Sequence, residues 1–137
     1  MATITEDFVS FETAKLLKDK GFDIGVRYYY QKIDDDITYH IGDFRNWNVY
    51  DMWYSMPTLQ MAMKWLREAH NLFIEIKYAT SLFSQPHTTM YFQICYMSLD
   101  YNISGKNMLP DNYIREYYTS YEGACEAAIK YCLENLI

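Results

Sequence analysis

An acidic triplet, three histidines, three cysteines and a line of aromatic rings are the residues of this chain whose types could carry chemistry. Asp34-Asp35-Asp36 brings clustered carboxylates of the kind that hold a hard cation. A calcium loop would need further oxygen ligands and a terminal Glu at fixed spacing. This run leads instead into Ile37-Thr38-Tyr39, so a solvated hairpin turn accounts for it. His40, His70 and His87 are widely spaced, and no Cys/His ligand pattern surrounds them. His40, beside Asp36 and Asp43, is the one placed for acid–base work. Cys95 falls on a strand without a nucleophile signature and reads as filler. The five glycines, at 21, 25, 42, 105 and 123, form neither phosphate-binding loop. No catalytic residue, metal or cofactor is assigned.

The rings are the stronger signal. Phe44, Trp47, Tyr50 and Trp53 recur every third residue, with Tyr54 beside them. Exposed rings at regular spacing stack on sugars or bases, or anchor a protein partner as hot spots. The competing expectation is a lid over one end of the core, because large apolar residues are mostly buried. Tyr28-Tyr29-Tyr30 is open to the same two readings.

Composition narrows the field. Of the 137 residues, fifteen are Tyr, seven Phe and three Trp, and a half-polar ring suits partly exposed sheets and interfaces. The formal charge of −6 repels double-stranded DNA and anionic membranes, and no basic cluster offsets it. No apolar run approaches the ~18 residues needed to span a bilayer. The start, MATITEDFVS, has no basic region followed by an apolar one, which sets the expectation of a cytoplasmic protein. Cys125 and Cys132, seven apart on one helix, lie roughly 10 Å apart along its axis and cannot bridge. Free thiols are expected.

The positioning elements follow from periodicity. Ser10 caps a helix that Gly21 ends, with Phe11, Ala14 and Leu17 on one face. Strands are predicted near 26–32 and 37–44 around the acidic turn, with Ile37, Tyr39 and Ile41 facing one way and Thr38 and His40 the other. Residues 44–54 read as an irregular or single-turn connector. A helix follows, with Pro57 in its first turn, Leu59, Met63 and Leu66 in its stripe, and Asn71 as its cap. Residues 72–78 and 90–97 alternate as strands around a polar loop, 79–88. A loop over 100–112 and a short extended piece over 113–118 precede the last helix. Its capping box begins at Thr119 and uses Glu122. The expected fold is α+β, one globular domain over 1–137 in the order α-β-β-α-β-β-α. A mostly antiparallel sheet would have its helices packed on one face.

Three segments carry a resemblance. They are Val9 to Phe22; Pro57-Thr58 with Lys64-Trp65-Leu66-Arg67-Glu68 and His70-Asn71; and Tyr121-Glu122 with Ala124 to Ile129. In this order they resemble short uncharacterised proteins common in gut Bacteroidales genomes and their prophages. The resemblance implies a mobile-element context and gives no residue a role.

The expected function is a non-enzymatic interaction protein, binding a protein partner or itself. The surface would combine the open sheet face with Phe44, Trp47, Tyr50, Trp53 and Tyr54, and Arg27, Arg45 and Asp51 would form a charged rim. The alternative is a small ligand-binding domain or enzyme with a pocket between sheet and connector, using His40, Tyr39 and Asp43. Single-stranded nucleic-acid binding by ring stacking is a third reading, opposed by the charge.

Overall fold

The computed structural model describes residues 5–79, 89–97 and 105–137. The chain is α+β: the described residues form three helices and two three-stranded antiparallel sheets. It divides into two compact units, Met1–Trp65 and Leu66–Ile137. The loop expected at 79–88 lies, from residue 80 on, outside the described residues.

In the first unit, α1 (Phe11–Asp19) starts where the Ser10 hydroxyl accepts the Thr13 N–H. It ends in a Schellman motif. The Phe22 N–H donates to the Leu17 carbonyl at 2.9 Å, and the Gly21 N–H donates to that of Lys18 at 3.1 Å. Gly21 takes φ +89°, where a side chain would be strained, and Phe22 folds back into the core. Then come β1 (Val26–Ile33), β2 (Asp36–Arg45) and β3 (Trp53–Ser55), in the spatial order β2-β1-β3. Asp34 occupies the tight β1–β2 turn at φ +54°, as an acidic turn residue can.

Two expectations about this unit are corrected. The connector contains a strand: after a 3-10 turn at Trp47–Val49, residues Trp53–Ser55 pair with β1. Three residues are too few for alternation to show. Pro57 precedes the helix instead of opening it, and Thr58 is the cap whose Oγ1 accepts the Met61 N–H at 3.1 Å. α2 (Leu59–His70) follows, and Asn71 closes it at φ +57°.

In the second unit, β4 (Leu72–Ala79), β5 (Thr89–Tyr96) and β6 (Lys106–Asn107) lie in that order. β6 falls inside the expected loop, since two residues carry no periodic signal. The extended piece over 113–118 forms one bridge, Tyr118 to Met90, with backbone bonds of 2.7 and 2.8 Å. α3 (Tyr121–Asn135) is capped one residue later than expected: the Ser120 hydroxyl accepts the Gly123 N–H at 3.0 Å. Met90, Phe92 and Ile94 of β5 and Ala124, Ala128, Ile129 and Leu133 of α3 form its core.

The cysteines are free thiols. Burial pushes Cys125 up to about 11 and Cys132 up to about 12, from an ordinary value of 9.0. Above pH 9 the unfolded chain therefore loses these protons first, and stability falls as pH rises from there through the folded values. Urea midpoints measured from pH 8 upward should show this decline. Cys125→Ser and Cys132→Ser should flatten it, and an equal slope in both variants would exclude the thiols as its source.

Candidate interaction surface

Trp47 organises the aromatic residues of the first unit. Its ring stacks on Tyr29 with centroids 4.0 Å apart and meets Trp53 at 5.4 Å and Tyr50 at 6.3 Å. The indole N–H donates to the Val26 carbonyl at 2.8 Å, and the backbone N–H donates to Ser55 Oγ at 3.1 Å. The ring lies directly across β2: a Cβ on Gly42 would come within 2.8 Å of it. Gly42 is thus the seat that lets an indole lie against the strand. Gly25 has the same relation to Phe44, whose ring a Cβ there would meet at 3.0 Å.

Sheet alternation decides which rings join. Tyr29, with His40 and Ser55 in register beside it, shares a face with Trp53, which pairs with Gln31. Tyr28, Tyr30 and Tyr54 take the opposite face. There Phe8 packs on Tyr28 at 4.7 Å, and Phe11 packs on Tyr30 at 5.7 Å and Tyr54 at 5.1 Å. The Tyr30 hydroxyl donates to the Val9 carbonyl at 2.6 Å.

Lys18 fixes the connector. Its ammonium donates to the carbonyls of Tyr50 (2.6 Å), Trp53 (2.9 Å) and Asp51 (3.3 Å), and sits 4.6 Å from the Tyr54 ring. Partial burial pulls it below the ordinary lysine value, against the attraction of Asp51 and Asp19. Arg45 ties Tyr50 to β2, donating to its hydroxyl at 3.3 Å and to Asp43 at 2.8 Å, with the guanidinium 5.2 Å from the Trp47 ring. Those hydrogen bonds, Tyr50 first, raise Arg45 above its ordinary value.

The five candidate residues do not form one line. Trp47 is 5% exposed and serves as a packing centre. Trp53 and Tyr54, both half-buried, point to opposite faces of β3. Phe44, 70% exposed, and Tyr50 are the two that offer ring area to solvent, with Val49 and Met52 also exposed near Tyr50 in the chain. Sequence reasoning set Ile37, Tyr39 and Ile41 on one face of a strand but did not single them out as an open apolar row. Ile37, Tyr39 and Ile41 are 45%, 71% and 57% exposed along one face of β2. Their alternation was legible, but an apolar face reads as core by default. Lys18 was also missed, because its carbonyl partners lie over thirty residues away.

His40 and Tyr39 are adjacent on β2 and so point to opposite faces, His40 stacking on Tyr29 at 5.3 Å. They do not converge on a pocket. Asp34, Asp35 and Asp36 are all exposed at the turn, and no metal-holding group of three His, Cys, Asp or Glu occurs among the described residues. The second unit has an open cleft of about 320 Å³ lined by Gln93, Asn107, Asp111 and Arg115, with Leu109, Pro110 and Tyr113. Among the described residues, no helix is long and apolar enough to cross a membrane. No protein-family model, curated protein or solved structure matches the chain.

Proposed function

We propose that this chain is a non-enzymatic interaction protein that binds a protein, either a partner or a second copy, through its first unit. The observation that carries this reading is the open row Ile37, Tyr39 and Ile41 on β2, with Phe44 at the end of the same strand. Clusters of exposed large apolar residues mark interaction sites more often than they decorate a monomer. The arrangement also suits recognition: rings held rigid from behind lose little entropy on binding. Trp47, Lys18 and Arg45 supply that backing for Tyr50. The charged rim is Arg27, Arg45 and Asp51, as read from the sequence. The mobile-element context implied by the resemblance fits an accessory binding role.

Phe44→Ala combined with Tyr50→Ala should weaken binding of the bound chain by at least ~2 kcal/mol, the size of a hot-spot loss. Thermal stability should fall less than in a core truncation, because Phe44 and Tyr50 are both exposed, although Tyr50 gives up its contacts with Trp47, Trp53 and Arg45. Surface plasmon resonance with the immobilised partner or second copy reads this directly. Unchanged affinity both here and in Tyr39→Ala with Ile41→Ala, which truncates the row itself, would overturn the reading.

A further inference from the structure

We propose that two copies of this chain pair antiparallel through the outer edge of β2, across a two-fold axis, so that their sheets join. This rests on the protein-binding reading above and names the partner.

Among the described residues, one side of the β2 backbone has no strand partner. In β1, the Lys32 N–H donates to the Met52 carbonyl and the Tyr28 carbonyl accepts from Met56, so residues 28, 30 and 32 address β3. Residues 29 and 31 therefore address β2, opposite His40 and Thr38. By alternation Ile37, Tyr39 and Ile41 turn their N–H and C=O groups outward, away from β1. β2 is the edge of its sheet, and among the described residues no strand pairs with it there. Edge strands are normally blunted by Lys, Pro, an inward charge or a bulge. Residues 37–41 contain none of these, and the register of β2 against β1 shifts only beyond Ile41, before Arg45. The exposed side chains of Ile37, Tyr39 and Ile41 belong to the same residues that present the outward backbone groups.

Charge selects a second copy as the occupant. The turn end of the hairpin carries Asp34, Asp35 and Asp36, against Lys32. The far end carries Arg27 and Arg45, and Asp43 there is already paired with Arg45 at 2.8 Å. One end is net acidic and the other net basic. An antiparallel copy lays the arginine end of each hairpin against the aspartate end of the other. With His40 near the axis, Tyr39 of each copy falls opposite Ile41 of the other. Aromatic and β-branched residues form a favourable cross-strand pair. The contact is isologous and closes on itself, so it stops at a dimer.

Sedimentation velocity of the full chain from low to high micromolar concentration tests this. The expected result is a dimer whose fraction rises with concentration. Tyr39→Lys with Ile41→Lys should sediment as a monomer and melt like the unaltered chain at concentrations where that chain is itself monomeric, since both side chains face solvent in the single chain. Arg45→Asp should weaken the dimer about tenfold, and adding Asp35→Arg on the same chain should restore it. A monomer at every concentration, or a dimer indifferent to the edge lysines, would overturn self-pairing. If self-pairing fails while Phe44→Ala with Tyr50→Ala still weakens binding of another protein, the interaction reading stands alone. If neither variant pair has an effect, both fall.

Discussion

Trp47→Ala is expected to destabilise the protein by about 3–5 kcal/mol, the range for deleting a buried large ring. The side chain is 5% exposed, stacks on Tyr29 at 4.0 Å and bonds the Val26 carbonyl through its indole N–H. Removing it leaves a hollow over Gly42 and takes away the support behind Tyr50 and Trp53. Domains of this size are stable by only about 5–15 kcal/mol, so the loss is a large share of the total. Urea unfolding followed by far-UV circular dichroism measures it. Trp47→Phe should lose less, because it keeps one aromatic ring in the cluster while giving up the second ring of the indole and the N–H bond to Val26. An interface tryptophan would behave differently: its truncation would spare stability and remove only binding. Near-native stability of Trp47→Ala would therefore show that the ring is not a packing centre.

Phe92→Ala is expected to cost a similar amount, about 3–5 kcal/mol, in the second unit. Phe92 is buried on β5 and lies 6.1–6.2 Å from the rings of Tyr113, Tyr118 and Tyr131. Those three come from the segment before α3 and from α3 itself, so one side chain joins helix, strand and connector. Tyr118 also bonds across to Met90, and burial raises its phenol to about 12, so it stays neutral in the packed ring cluster. Hydrogen exchange should show lost protection along β4 and β5 in the variant. Tyr91→Ala, at a half-buried position on the same strand, should cost clearly less. Equal costs at the two positions would show that Phe92 is not the core anchor.

Much of this architecture is legible in the residues. Helix caps are local chemistry, and Ser10, Gly21 and Asn71 sit at their helix ends as read. Alternation placed β1, β2, β4 and β5 to within a residue or two at most ends. What escaped was short or long-range. β3 and β6 span three and two residues, below the length at which a period can be seen. The three-residue spacing of Phe44, Trp47, Tyr50 and Trp53 suggested one aromatic stripe, yet the chain turns inside it. Phe44 ends up on β2, Trp47 in a 3-10 turn and Trp53 on β3. Spacing in sequence fixes a face only while one regular element continues. Gly42 and Gly25 held a clue: small residues near large rings mark where a ring lies on the backbone. That pairing spans strands and cannot be read from one segment. The exposed row on β2 was visible as a pattern, but which side of a sheet meets water depends on what covers it.

Native mass spectrometry of the purified chain at low micromolar concentration tests the central claim most directly. The interaction reading predicts a complex containing a second polypeptide, with a two-fold dimer of the 16.4 kDa chain as the specific form. A single chain carrying a small-molecule or metal mass, with no second polypeptide, would contradict it and move attention to the cleft beside Arg115.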